Sequence, residues 1–270
     1  MVQDAVKMAE SELSEYPLID KYLGRIIRRR LNLSCPEKGV LIAELLDDED
    51  ESKQRLRHLE DVLCLGDQLC ENFGDVFKSG LPEDARDADA RILDLLAEIE
   101  AFDYLYRNAF TKIAHILRTP ANPTPEFTAL RHGYCYAVEV KRPHIPQSEC
   151  KKVKPFVRKG IISGFASGDA HGPLVATFKD VVKDAHKQIE GFCLAENEYY
   201  RGIVIMSAGL GFVGSLGLTR GVFSVLRNKP YKNAICQTWG ELKEGSNCPY
   251  LQHIVFLRKR ASEFIVPNLD

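Results

Sequence analysis

The spacing of apolar residues predicts a chain that starts helical and then alternates strands with helices. Leu18, Tyr22, Ile26 and Ile27 recur at helical spacing, as do Leu56, Leu59, Val62 and Leu63, so residues 1–85 read as helices. The acidic run Asp47 to Glu51 marks a solvated connection. Gly80-Leu81-Pro82 followed by Glu83-Asp84 is a break, and a domain boundary is placed there. Beyond it, Ile92, Leu95, Leu96, Ile99, Phe102 and Tyr106 make one apolar stripe and predict a helix. Phe110 to Leu117 is a short apolar piece with strand character, and residues 119–125 are turn-rich. Glu126 to Leu130 reads as extended, Arg131-His132-Gly133 as a hairpin turn, and Tyr134 to Val140 as a strand that Pro143 and Pro146 end. Residues 151–172 form a basic, glycine-containing loop in this reading. A second helix follows, with Leu174, Phe178, Val181, Val182, Ala185, Ile189 and Phe192 on one face. Ile203 to Met206 is a buried strand and Ile254 to Leu257 a late one. The predicted order is helix, three strands, helix, strand.

Composition narrows the class. The chain has 270 residues, 45% of them hydrophobic and 27% charged, which suits a globular protein with its own core. The first twenty residues are polar and acidic, with no apolar signal-peptide core. The most apolar run, Ile203 to Leu218, is interrupted by Gly209, Gly211, Gly214 and Gly217 and is too short to span a bilayer. A cytoplasmic protein with no membrane partner is expected. Its eight cysteines contain no C-x-x-C pair, and reduced thiols are expected. Charge is uneven: residues 1–130 hold 16 Lys/Arg against 26 Asp/Glu, a net −10, whereas residues 131–270 carry +8. The basic half suits an anionic partner such as nucleic acid.

Candidate chemistry concentrates between Pro123 and Pro143. Residues two apart on a strand share a face, so Glu139 and Lys141 project together while Val140 turns to the other side. Glu126 lies thirteen residues before Glu139, and a hairpin turning near Gly133 brings the two side by side. Two carboxylates and an ammonium then face one point. Mg²⁺ takes oxygen ligands and commonly only one or two carboxylates. A metal there would activate water and neutralise a phosphate, and Lys141 would orient or deprotonate the water or hold the phosphate.

Pro125-Glu126-Phe127, a gap of twelve residues, and Glu139-Val140-Lys141-Arg142-Pro143 resemble the PD-(D/E)XK nuclease superfamily. The resemblance implies an α/β, restriction-endonuclease-like core over residues 86–270: helix, three strands, helix, strand, with a mixed sheet flanked by helices. Residues 1–85 would be a helical extension, available to a second copy or a protein partner. It implies Mg²⁺-dependent phosphodiester hydrolysis, with Mn²⁺ as substitute and DNA favoured over RNA. Glu126 and Glu139 would bind the metal and Lys141 would assist the water. This chain departs from the pattern in having Glu126 where the family usually has aspartate. Members often add an acid from the preceding helix. Glu98 and Glu100 both flank the apolar stripe, and Glu98 is favoured because Glu98-Ile99 resembles the family's acid-plus-aliphatic pair. Members similar to RecB carry a glutamine on the following helix, which Gln188 matches. Arg142, Lys152, Lys154, Arg158 and Lys159 are candidate nucleic-acid contacts.

Two other readings are open. The same fold serves as a non-catalytic nucleic-acid-binding or assembly module in one of them. In the other, Gly209, Gly211 and Gly214 form a strand followed by G-x-G-x-x-G, the fingerprint of a dinucleotide-binding oxidoreductase. Against the second, no Asp or Glu occurs between Glu198 and Glu241 to hold a ribose.

Overall fold

In the computed structural model, residues 2–32, 39–78, 88–117, 124–142, 171–207, 250–258 and 261–264 are described. Helices α1 (Val2–Leu13), α2 (Pro17–Leu31), α3 (Val40–Leu45) and α4 (Asp50–Leu69) come first. Pro17 opens α2, where its missing N–H would have had no intrahelical acceptor anyway. The next two donors are met from outside the helix: Leu18 N–H and Ile19 N–H donate to the Glu60 carboxylate on α4 at 2.8 and 2.9 Å. A two-residue strand, β1 (Cys70–Glu71), and a turn of 3-10 helix, Phe73–Phe77, follow. Then come α5 (Ala88–Arg107), β2 (Thr111–His115), β3 (Phe127–Arg131), β4 (Tyr134–Lys141), α6 (His171–Glu196), β5 (Arg201–Ser207), β6 (Leu251–Arg258) and β7 (Ala261–Phe264).

The strands form one mixed sheet in chain order. β1 lies parallel to β2; β2–β3 and β3–β4 are antiparallel; β4–β5 and β5–β6 are parallel; β7 closes antiparallel on β6. The protein is thus α/β with a mixed sheet flanked by helices, as expected. Alternation along the strands separates two layers. Tyr136, Val138 and Val140 of β4 and Ile203 and Ile205 of β5 face α5. Ala137, Val204 and Met206 face α6, against Val182, Ala185, Ile189 and Phe192. Gly202 sits where α6 and the β6 backbone close in. Its N–H donates to Tyr250 O at 2.6 Å, and a Cβ there would stand 2.8 Å from that oxygen.

The helix expected to show one apolar stripe is instead buried almost all round. On one side α5 meets the sheet; on the other it meets α2, α3 and α4. Leu93, Ala97, Ala101, Tyr104 and Leu105 are buried along with the predicted Ile92, Leu95, Leu96, Ile99 and Phe102. Tyr106, assigned to the stripe, is 42% exposed, because the helix is about to end and leave the layer. The predicted break at 80–84 lies outside the described residues. On either side of it the chain contributes to one apolar cluster, which runs from Leu13, Leu23 and Leu59 through Phe102 to Phe127 and Ile205.

Phe102 is at the hinge of that cluster. It is fully buried, and its ring meets Phe73 at 5.3 Å. Phe102→Ala leaves a cavity between helices and sheet and is expected to cost about 3–5 kcal/mol. Urea unfolding followed by circular dichroism should show that loss within a single transition, because the helices and the sheet share the core that is cut.

Candidate functional site

The β3–β4 hairpin builds the site. His132 and Gly133, at φ 50° and 80°, make the tight turn, both in the left-handed region that suits a two-residue hairpin. The register that follows pairs Phe127 with Val138 and Thr128 with Ala137. One step further, Glu126 comes opposite Glu139, and Glu126 N–H donates to Val138 O at 3.0 Å. On the other edge Ile116 N–H donates to Glu126 O at 2.9 Å. Glu126 is therefore pinned by backbone on both sides before its side chain does anything.

Glu139 is completely buried at the carboxyl end of β4, a central strand of the sheet. It points to the α6 face, as do Ala137 and Lys141. Lys141 Nζ forms an ion pair with Glu139 Oε1 and donates to Gln188 Oε1 on α6 at 2.6 Å. Gln188 Nε2 in turn donates to Thr124 O at 3.4 Å. Glu126 Oε2 accepts Val140 N–H at 2.7 Å. Burial first, and the Glu126 carboxylate second, push the Glu139 carboxyl well above the usual glutamate range, and the Lys141 ammonium only partly offsets them. Apart from Lys141 and Glu126, neither Glu139 carboxylate oxygen has a hydrogen-bond partner among the described residues. An electron-rich oxygen site, short of donors and closed by one ammonium, is the result.

Four of the predicted residues, Glu126, Glu139, Lys141 and Gln188, thus come together. Glu98 does not join them. It is buried on α5, on the opposite face of the sheet, with Arg91 Nη1 at 3.7 Å and His115 Nε2 at 3.9 Å. The rival acid, Glu100, is buried too and accepts a hydrogen bond from Ser207 Oγ at the end of β5. Both acids lie within the doubly covered part of α5, where a carboxylate needs a partner inside the layer. Among the described residues, no group of three or more His, Cys, Asp or Glu side chains is placed to hold a metal ion. Arg142, expected on nucleic acid, has its side chain 10% exposed and donates from Nε to Asp94 Oδ1 on α5 at 2.7 Å. It ties the end of β4 to α5. Lys152, Lys154, Arg158 and Lys159, and the glycines Gly209, Gly211 and Gly214, lie outside the described residues.

Sequence reading missed three participants. Asp94 is one. Its signal was available, since Arg91, Asp94 and Glu98 fall on one helical stripe. Thr124 supplies a backbone carbonyl, which no side-chain pattern marks. Ser207, paired with Glu100, lies just past the apolar run 203–206 and carried no signal of its own.

The raised Glu139 pKa has a sign that can be checked. Below the ordinary glutamate pKa, about 4.3, Glu139 is protonated whether the chain is folded or not. As pH rises, the unfolded chain releases that proton first while the folded one keeps it, so folded stability falls through the window between the two pKa values. Glu139→Gln removes this penalty. Thermal unfolding in EDTA should find the variant increasingly more stable than the parent as pH is raised from acid to neutral. Equal pH slopes for the two proteins would show that Glu139 is not desolvated.

No family model matches the chain, and neither a curated protein nor a solved structure is found to be similar to it.

Proposed function

We propose that the chain is a divalent-metal-dependent phosphodiester hydrolase of the PD-(D/E)XK kind, acting on DNA in preference to RNA. The observation that carries this reading is Glu139 with Lys141 on one face of the carboxyl end of β4, Glu126 beside them across the hairpin, and Gln188 holding the lysine.

The donor set fits a hard cation. Glu126 and Glu139 offer carboxylate oxygens only, and the Glu139 pair lacks the hydrogen bonds that a buried carboxylate ordinarily collects. These two residues would hold Mg²⁺, or Mn²⁺ in its place. When bound, such an ion supplies charge neutralisation at the phosphate and a more acidic water. The protein does the positioning. Lys141 stands at the mouth of the site, 24% exposed, with Glu139 on one side and Gln188 on the other. From there its ammonium can donate to a phosphate oxygen or orient the attacking water. Gln188 fixes that ammonium from α6 and is itself held by the Thr124 carbonyl. The Glu126–Val140 bond fixes the acid across the hairpin, which limits reorganisation when charge develops. The structural support stops at these four side chains: Glu98 has basic neighbours of its own.

The same Glu126–Val140 bond favours a second reading, a non-catalytic module that binds nucleic acid, because it uses a carboxylate oxygen to hold the hairpin. Metal titration calorimetry separates the two: a hydrolase must bind Mg²⁺ or Mn²⁺, whereas a binding module need not.

With labelled DNA and Mg²⁺ or Mn²⁺, the parent chain should cleave. Glu139→Ala and Lys141→Ala should each lower the rate on the order of a hundredfold or more while their circular dichroism stays that of the parent. If the pure parent protein cleaves no DNA or RNA with either metal, the hydrolase reading is lost.

A further inference from the structure

At the opposite end of β4 a second cluster remains that the acid site does not use. Arg131 closes β3 opposite Tyr134, and Tyr136 of β4 pairs with Arg201 at the start of β5. Alternation puts all four on the face that α5 covers further along, over Val138 and Val140. α5 ends at Arg107, and Phe110 takes its place against this patch, with its ring edge-on to Tyr136 at 5.2 Å. The Arg131 guanidinium lies over the Phe110 ring at 5.1 Å, and that of Arg201 over the Tyr134 ring at 3.3 Å. Arg201 also stands beside the Tyr136 hydroxyl. Tyr134 keeps 49% of its surface exposed.

These two arginines combine an aromatic ring beneath the guanidinium with the lack of a carboxylate partner among the described residues. Arg55, Arg91, Arg107 and Arg142 each pair with an Asp or Glu. Among the described residues neither Arg131 nor Arg201 does, and Arg131 Nε is buried with no acceptor. A guanidinium held over an aromatic ring without a carboxylate has N–H donors that a phosphate can engage in bidentate fashion. An exposed tyrosine ring offers a base a stacking surface, one that only an unpaired strand can use because a duplex hides its base faces.

We propose that Arg131, Tyr134 and Arg201 form a binding surface for single-stranded nucleic acid, with the arginines on backbone phosphates and the tyrosine stacked on a base. Seven residue steps of about 3.3 Å separate Tyr134 from Lys141, roughly 23 Å, so this surface is distinct from the acid site. The inference deepens the nucleic-acid part of the proposed function and rests on it, but it needs no cleavage.

Fluorescence anisotropy of the full chain with labelled oligothymidine, in EDTA, tests it. The parent chain should bind the single strand, and a duplex of equal length should compete poorly. Tyr134→Ala and Arg201→Ala should each weaken binding on the order of tenfold, with Tyr134→Phe close to the parent. Arg131→Ala and Arg201→Ala should also flatten the salt dependence, since each removes a phosphate contact. Lys187→Ala, at an exposed lysine on α6, should change nothing. If Arg201→Ala does not fold, Arg201→Lys serves in its place: it keeps the charge, loses the planar stack, and should bind less tightly than the parent. No binding of the single strand, equal competition by duplex, or parent-like affinity in Tyr134→Ala and the Arg201 variant would each overturn the proposal. Because EDTA removes the divalent ions, a failed cleavage assay leaves this measurement unaffected.

Discussion

His132 and Gly133 close the β3–β4 hairpin in left-handed backbone, and the contacts of the acid site follow from the register they impose. Side chains alternate along a strand with a period of two, so one residue of slip would send Glu139 and Lys141 to the α5 face and Val140 to α6. Several contacts hold the register against that slip. Phe127 and Val138 pair inside the core, Glu126 N–H reaches Val138 O, and the Glu126 carboxylate accepts Val140 N–H. The last of these makes Glu126 both a site residue and a clamp on the hairpin. A glutamate at this position has a structural use, since its carboxylate reaches the neighbouring backbone.

The second constraint is the burial of α5 on both sides. A helix between a sheet and a helical layer has little solvent-facing surface on which to place charge. Its acids are compensated one by one: Asp94 by Arg142, Glu98 by Arg91 and His115, Glu100 by the Ser207 hydroxyl, Asp103 by Arg107. Glu98 is the deeply buried case: removing its basic neighbours would leave a desolvated carboxylate, at a cost of about 3–5 kcal/mol. The pairs reach across the molecule: Asp94–Arg142 ties α5 to β4, and Glu100–Ser207 ties it to β5. They fix the carboxyl ends of the two parallel strands that border the acid site. The acid on α5 that the resemblance offers to the metal is bound into this layer instead.

β4 thus carries different chemistry at its two ends. At the carboxyl end, buried carboxylates collect beside one lysine. At the amino end, arginines lie on aromatic rings with no carboxylate partner among the described residues. A chain with this polarity presents negative potential at one point and positive charge at another, on a scaffold held rigid by helices on both faces. The arginine end can attract a phosphodiester chain without any cation, whereas the acid end can receive one only when a cation neutralises it, which is why the proposed hydrolysis and the proposed strand binding respond differently to divalent metal.

The elements, and the core of the site, were legible in the sequence because they depend on local geometry. Strand period two placed Glu139 and Lys141 together, the symmetric spacing about Gly133 placed Glu126 opposite them, and helical period put Gln188 on the side of α6 that meets the sheet. The alternation of strands with helices gave an α/β fold with a mixed sheet. Tertiary structure alone decided the rest. The apolar stripe of α5 suggested one buried face, but packing against α2, α3 and α4 buried the other, and no periodicity within α5 encodes what lies on its far side. Glu98 and Glu100 were indistinguishable by helical angle, and their roles were settled by partners distant in sequence: His115, and Ser207 107 residues on. Arg142 looked like a free cation in sequence because Asp94, 48 residues earlier, pairs with it only once α5 lies on the sheet. Local spacing determines which side chains share a face; which of them are neutralised, buried or left to meet a ligand depends on contacts that folding makes between distant segments.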